Sequence, residues 1–446
     1  MNSINTITAK FGGSSMQDAE SIRRVADIIQ DIPAQQAVVV SATAGTTDHL
    51  INLANISDNE QEWRRSFDSL IERHQQIIQE LGVDLEFQEI WNEVESIRSS
   101  ILEALDPNLE LLDQMQVIGE RISSQILAAY LNNTGVRAQS VDAYDLIQTD
   151  NSYGNANVHF EQTTWNIRER IGELLQQGII PVITGFNGCS EEGRPITLGR
   201  GGSDYSAAIV GAALDSEEVQ IWTDVSGIFN ADPRYISEAR PLEQVSFEEA
   251  GELAYFGAKV LHPKTIEPAR HRDIPVRILN TFSPEENGTV IQNYESNSIK
   301  SVTFKEGARL VNIHSAGMLN AHGFLSRIFE VFARYEVVVD VVSTSVVSVS
   351  LTVDHPLPSE LVEELNSFSS VEEVNSKAIV CLVGDGIARD TSVLGRLFSS
   401  IMGHEVFMVS QGASQRNITF LVEESEVIKI IQKVFNTFFN SIEHAN

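Results

Sequence analysis

Up to about residue 280, short runs rich in β-branched and apolar residues alternate with longer stretches whose apolar positions recur at helical spacing. The runs at 4–11, 37–40, 179–184, 219–223 and 274–279 read as buried strands. Several are apolar at nearly every position, as parallel strands are when helices cover both faces of their sheet. The pattern therefore predicts an α/β three-layer αβα sandwich with a mainly parallel sheet. Residues 58–133 carry few strand signals and predict a helical subdomain beside that sheet, divided by a loop at Asp106 and Pro107.

The rhythm changes at 281–300, TFSPEENGTVIQNYESNSIK, where polar and turn residues outnumber apolar ones about three to one. Beyond it the chain repeats itself. A shift of about 69 residues pairs Leu310, Val311 and Ile313 with Ile379, Val380 and Leu382, and Gly317 with Gly386. The same shift pairs Arg327, Phe329 and Glu336 with Arg396, Phe398 and Glu405. A shared hydrophobic rhythm would not match glycine, arginine and glutamate at one offset, so the repeat reads as a duplication. Each copy runs strand, turn, amphipathic helix, two strands and a second helix, which predicts two α+β ferredoxin-like βαββαβ modules. The expected division is an α/β domain at 1–285, a linker at 286–305, and modules at 306–375 and 376–446.

Charge narrows the partners. The 446 residues hold 31 Lys and Arg against 62 Asp and Glu, a formal charge of −31 that repels nucleic-acid phosphates and anionic membranes. Nucleic acid and membrane are therefore not expected partners. An apolar share of 42% excludes disorder as the main state. The N-terminus has no signal-peptide pattern, and no apolar run is long enough to span a bilayer. Cys189 and Cys381 are too few for a disulfide framework, which fits a reducing cytoplasm. The histidines lack metal-ligand spacing, so no protein-bound metal is expected.

Three segments could carry chemistry. Lys10-Phe11-Gly12-Gly13-Ser14-Ser15 joins the first strand to a helix expected from near Met16, where glycine amides and the lysine could hold a phosphate. On those six residues alone, a tight turn with a solvated lysine serves equally well, and no Walker loop occurs. Thr197 to Ser206, TLGRGGSDYS, runs into a helix of small residues. Arg200 could grip a carboxylate, the glycines admit an anion, Ser203 would cap the helix, and Asp204 could hold a lysine. Capping alone explains neither Arg200 nor three glycines. Trp222-Thr223-Asp224 ends a strand where α/β proteins bind ligands, and Asn230 to Arg234 follows. Farther on, Phe256-Gly257-Ala258-Lys259 sets a lysine beside a glycine; in isolation that lysine reads as a solvated charge. Val383-Gly384-Asp385-Gly386 lacks the third glycine of a dinucleotide fingerprint and reads as a module turn.

Taken in order, KFGGSS, VVVSATAGTTDHL, GERISS, GRGGSDYSA, WTDVSGIFNADPR and FGAKVLHP resemble the aspartate kinases of the amino acid kinase family, and the duplicated tail resembles their paired ACT modules. The resemblance runs nearly end to end, stops short of a homoserine dehydrogenase domain, and implies the amino acid kinase fold. It implies transfer of the γ-phosphoryl group of ATP, with Mg²⁺ on the phosphates, to the side chain of L-aspartate, the first step toward lysine, threonine and methionine. It places Lys10 on the transferring phosphoryl group with the amides of Gly12 and Gly13, and Asp204 as the group that orients Lys10. Arg200, Glu120, Ser41 and Thr47 would bind aspartate. Thr223, Asp224, Arg234 and Lys259 would surround the nucleotide, with Phe229 where the family commonly has tyrosine. Without the resemblance, Glu120 reads as a helix-surface carboxylate.

The ACT-like repeat implies feedback by an end-product amino acid. Comparing the copies adds that Asp340 in the first stands where the second has Val409, so an acid at one strand end could take an effector's ammonium or simply be solvated. Resemblance to lysine-sensitive members adds Met318, Phe324, Leu325, Val339, Thr344 and Ser345. Val346 stands where those members often have glutamate, which weakens the case for lysine and keeps threonine open, although the resemblance as a whole still favours lysine. Exposed module edges predict a homodimer joined through the tail. Competing readings are a kinase for glutamate, N-acetylglutamate or a nucleotide, and a non-catalytic amino acid sensor; retention of Lys10, Arg200 and Asp204 together disfavours the sensor.

Overall fold

The computed structural model describes residues 6–104, 107–257, 261–295, 298–319 and 322–440. They form two compact units. One takes the described residues up to Ile228, then Glu243–Phe247 and those from Leu261 to Asn293; the other takes Phe229–Leu242, those from Glu248 to Gly257, and those from Tyr294 onward.

The first unit holds ten strands, β1 (Thr6–Phe11), β2 (Gln35–Val40), β3 (Ala138–Val141), β4 (Ile180–Thr184), β5 (Asn187–Cys189), β6 (Pro195–Thr197), β7 (Glu218–Thr223), β8 (Gln244–Val245), β9 (Val276–Asn280) and β10 (Thr289–Ile291). Eight make one sheet in the order β3-β4-β2-β1-β7-β9-β10-β8, parallel throughout except between β9 and β10. β5 and β6 form a separate antiparallel pair. The five strands expected from the sequence are thus present, and neighbouring strands depart from β1 in opposite directions along the sheet, which opens a crevice at its carboxyl edge.

Alternation along β1 decides which side chains meet which layer. Ala9 and Phe11 join a core shared with Ile22, Val25 and Ile29 of the helix Ala19–Asp31 and with Ile122 and Ile126 of the helix Ile118–Asn133. Lys10 points to the other face, where the helix Gly202–Leu214 lies. That helix is built from small residues so that it can lie close: a Cβ on Gly211 would stand 2.5 Å from Val219 Cγ2. The stretch from residue 60 to 133 holds the helices Glu60–Leu81, Gln88–Ala104, Leu109–Gln116 and Ile118–Asn133. Its core is aromatic, with Trp63 fully buried against Phe67 and beneath the Arg98 guanidinium. The expected loop at Asp106 lies outside the described residues.

The second unit carries β11 (Ile299–His314), β12 (Val342–Thr344), β13 (Ser348–Val353), β14 (Ser370–Gly384), β15 (Met408–Gln411) and β16 (Asn417–Glu423). They form one antiparallel sheet, β12-β13-β11-β14-β16-β15. β11 and β14 pair along almost their whole length, from Ile299 opposite Gly384 to His314 opposite Ser370, with irregularities between Lys305 and Leu310. One core lies around Val311, Ile328 and Phe332, and a second around Val380, Leu397 and Phe435. Val302 of β11 belongs to the second core, while Val371 of β14 packs on the first. Each long strand therefore serves both modules, and the last strand of the second module is supplied from before the first. The stretch expected as a linker at 286–305 holds β10 and the start of β11, because residues 299–305 pair with the end of β14 and bury Ser301, Val302 and Thr303 in succession. Among the described residues no helix is long and apolar enough to cross a membrane.

Candidate active site

Lys10 and Asp204 meet on the carboxyl side of the sheet, Nζ to Oδ1 at 2.6 Å, both side chains largely buried. The approach lies off the axis of a directed hydrogen bond, so it is a contact of charges. After β1 the chain turns through a single tight turn, Gly13–Met16, and the helix proper starts only at Ala19, with the Asp18 carboxylate accepting from Ser21 N–H at 2.8 Å. The helix expected from near Met16 thus begins later, because Asp18 is the better cap. Gly12 N–H donates to the Trp222 carbonyl at 3.1 Å, so that amide is held by the sheet edge and is not offered to a phosphate as the sequence had implied. Gly13 does line the cavity around Lys10.

That cavity measures about 300 Å³ and is walled by Lys10, Gly13, Ser41, Thr47, Glu120, Phe186, Ser203 and Asp204, among others. The loop after β2 contributes Ser41 to Gly45, and Thr47 follows from the first turn of the helix Thr46–Asn55. The loop is fixed by Ser41 N–H to the Phe11 carbonyl at 3.0 Å and by Ser123 Oγ to the Ser41 carbonyl at 2.8 Å. Glu120 rises from the first turn of the helix Ile118–Asn133, buried, with no hydrogen-bond partner for Oε2. Burial pushes its carboxyl up to about 8, against the pull of backbone at Ala42 and of Lys10. A buried acid with an open oxygen beside a cation is equipped to receive a ligand's ammonium. The plain surface-carboxylate alternative for Glu120 is thereby removed.

Arg200 stands elsewhere. The segment Leu198 to Tyr205, a loop that runs into the Gly202 helix, is a wall between two cavities: Gly201 to Asp204 face the one around Lys10, while Leu198, Arg200 and Tyr205 face another of about 660 Å³ with His262, Lys264 and Asn155. Gly199 and Gly201 both have positive φ, 79° and 71°, and a side chain on either would strike Asn155 or Thr265. The Gly-Arg-Gly sequence is thus what lets the wall turn, and Arg200 is exposed on its far side. Ser203 does not cap the helix as expected; Gly201 is the cap residue and Ser203 sits within the first turn, lining the reactive cavity.

Thr223 and Asp224 end β7, with Thr223 Oγ1 donating to Asp224 Oδ1 at 3.1 Å and the Thr223 carbonyl accepting from Thr281 N–H at 2.8 Å. Phe229 and Arg234 belong to the second unit. There Ser301 Oγ donates to the Phe229 carbonyl at 3.0 Å, and Arg234 forks onto Asp232 at 2.6 Å. Lys259 lies outside the described residues. Among the described residues no group of three or more His, Cys, Asp or Glu stands together as a metal site would.

Four features of the site were not anticipated. Phe186 lines the cavity in a left-handed conformation, φ 72°, held by its N–H to Ser206 Oγ at 3.0 Å. Gly119 lets its helix reach the Ser41 loop, since a Cβ there would stand 2.6 Å from Ala42 Cβ. His74, fully buried, contacts Thr43 Oγ1 at 3.2 Å, and Thr43 contacts Thr46 Oγ1 at 2.6 Å. Asp113 is buried and accepts from Thr197 N–H and Gly154 N–H, tying β6 to the helical subdomain. Only His74 left a local trace, at helical spacing from the buried Leu70, Ile77 and Leu81; the rest depend on contacts distant in sequence.

In the second unit, Met318, Phe324 and Val339 pack half-buried on the core of the first module, whereas Leu325, Thr344 and Ser345 are exposed. Asp340 is not a free strand-edge charge. Its side chain is 3% exposed and meets Lys305 Nζ at 3.0 Å and the Tyr255 hydroxyl. Burial raises its carboxyl above the usual range, against the pull of both partners.

Residues 5–280 match the amino acid kinase family, and residues 380–438 match the ACT domain. Aspartokinase 1, chloroplastic, of Arabidopsis thaliana is 35% identical, over 98% of this chain and 80% of its own length. Two crystal structures of E. coli aspartokinase III each align with a TM-score of 0.83 at 32% identity. One, with aspartate and ADP in the R-state, covers 97% of this chain; the other, with lysine and aspartate in the T-state, covers 98%; both are matched over 100% of their own length.

Proposed function

The chain belongs to the amino acid kinase family, and within it to the aspartokinases, and we propose that it transfers the γ-phosphoryl group of ATP to the side-chain carboxylate of L-aspartate, giving 4-phospho-L-aspartate and ADP. This is the first step toward lysine, threonine and methionine, under feedback by an end-product amino acid. One observation carries it: Lys10, paired with Asp204, faces a buried Glu120 across a single small cavity at the carboxyl edge of the sheet.

The acceptor carboxylate has a pKa of about 4 and is already ionised, so it needs no general base. The obstacle is the approach of two anions, and positive charge with positioning removes it. Lys10 supplies the charge to the transferring phosphoryl group, and Asp204 aims Lys10. The open oxygen of Glu120 takes the α-ammonium of aspartate, Ser41 and Thr47 donate hydroxyls, and Arg200 reaches the α-carboxylate around the loop that carries it. Gly12, Gly13, Thr223, Asp224, Phe229, Arg234 and Lys259 take the nucleotide. Gly12 places its backbone beside Lys10 Nζ, where it would pass close to the phosphate that Lys10 holds. A Mg²⁺ would arrive on the triphosphate and would offset the charge of its oxygens there.

The protein works in the cytoplasm as a homodimer. Leu319, Leu325, Phe329, Val338 and Val346 are exposed apolar residues of the first ACT module, which suits them to cover one another between two copies. Lysine is the favoured effector, bound around Met318, Phe324, Leu325, Val339, Asp340, Thr344 and Ser345.

The test is formation of aspartyl hydroxamate from ATP, Mg²⁺, aspartate and hydroxylamine, with glutamate and N-acetylglutamate as rival acceptors and with lysine and threonine titrated separately. Turnover on aspartate that lysine lowers is expected; no turnover on aspartate defeats the proposal.

A further inference from the structure

The two modules keep the same ion pair and then differ by one charge. In the second, Lys377 meets Glu423 at the end of β16 and lies 4.1 Å from the centre of the Phe407 ring. In the first, Lys305 meets Asp354, just past β13, at 2.7 Å and lies 5.4 Å from the centre of the Tyr255 ring. The repeat offset relates Asp354 to Glu423, and the two lysines stand at matching junctions of the long strands, on either side of their irregular register. The pair is thus part of the module architecture. What the first module adds is Asp340, where the second has Val409: a second carboxylate on the same ammonium, with the Tyr255 hydroxyl on it as well.

We propose that Lys305 is the specificity-determining residue of the effector site, a tethered ammonium seated on Asp340 that an amino acid with a second ammonium must displace. The inference rests on the effector reading given above. A lysine-like effector carries two cationic groups and competes with Lys305 for Asp340 and Asp354. A threonine-like effector carries only the α-ammonium that both amino acids share, so it has no second cation to place on Asp340 whether or not Lys305 is there. Removing the Lys305 charge while keeping its stem leaves two carboxylates facing one vacancy, and a second ammonium then gains a charge-assisted contact without displacing anything.

Calorimetric titration of the full chain with L-lysine and with L-threonine tests this on the wild type, Lys305→Met, Lys305→Arg and Lys377→Met. Lys305→Met should bind lysine about tenfold more tightly, with threonine changed less than about twofold. Lys305→Arg and Lys377→Met should stay near the wild type. Equal or weaker lysine binding in Lys305→Met, or equal shifts for both amino acids, overturns the proposal. Should that variant fold poorly, the wild type answers alone. Saturating lysine should raise the rate at which an amine-acylating reagent labels Lys305, read by mass spectrometry, and an unchanged or lower rate overturns the proposal. Hydroxamate formation without effector is measured in parallel. Its absence speaks against the kinase reading, whereas lysine binding to neither wild type nor Lys305→Met defeats this inference alone.

Discussion

Lys10 on the first strand and Asp204 in the first turn of a helix far along the chain bring their charges within 2.6 Å of each other in the wall of one cavity. The contact follows from two independent placements. Strand alternation turns Lys10 away from the Phe11 side of the sheet, and small residues in the Gly202 helix let it press on the opposite side. Asp204 keeps the ammonium extended toward the cavity, so the charge is in position before the reactants arrive.

Replacing Lys10 by Met should lower hydroxamate formation by about a thousandfold or more, since it removes the charge that relieves repulsion between acceptor and phosphoryl group. Asp204→Asn should cost less, about ten- to a hundredfold in kcat, because the lysine remains and only its aim is lost. Steady-state kinetics with circular dichroism on both variants checks this; equal losses would mean that Asp204 does more than orient.

Glu120 should make aspartate binding release a proton. Its folded pKa of about 8 lies above the ordinary carboxyl value, so it is mostly protonated at pH 7 in the free protein, and an incoming ammonium favours the ionised form. Calorimetry in buffers of different ionisation enthalpy should find release approaching one proton at pH 7, absent in Glu120→Gln. For stability the sign is the reverse of an ion-paired acid. The raised pKa favours the fold fully below about pH 4.5, and this contribution is lost as pH rises through about 8. Glu120→Gln should therefore gain stability at pH 9 relative to wild type, by roughly 2 kcal/mol.

His74 gives the opposite slope. Burial holds its imidazole down to about 4, below the ordinary 6.5. Its contribution is present above pH 6.5 and is lost as pH falls through about 4, while protonation also perturbs the Thr43 to Thr46 contacts of the cavity loop. Denaturant titrations from pH 7 to pH 4 should show wild type losing roughly 2 kcal/mol more than His74→Gln.

Gly119→Ala should raise the KM for aspartate about tenfold and destabilise the protein by roughly 1–3 kcal/mol, because its Cβ would enter the space of Ala42 and push the Ser41 loop outward. Kinetics and thermal melts read the two effects; an unchanged KM would show that the loop gives way elsewhere.

Much of this architecture could be read in advance, for a physical reason. Buried parallel strands such as β2 and β4 are local apolar runs, and Gly201 and Asp204 sit in a short segment whose composition is hard to explain by capping alone, whereas the role of Lys10 came from the ordered set of motifs. What escaped depends on contacts between distant segments. Whether the Gly12 amide is open is decided by the Trp222 carbonyl on another strand, and Arg200 faces the second cavity because Gly199 and Gly201 reverse the loop around it. The engagement of Asp340 by Lys305 and Tyr255 likewise needed the sheet to bring three separate segments together.

The shared long strands make the regulatory half indivisible. A chain cut after residue 375 would keep residues 299–305 but strip the strand beside them, leaving bare backbone amides and carbonyls along a freshly opened margin that invites foreign strands. Such a gene fragment should yield insoluble product.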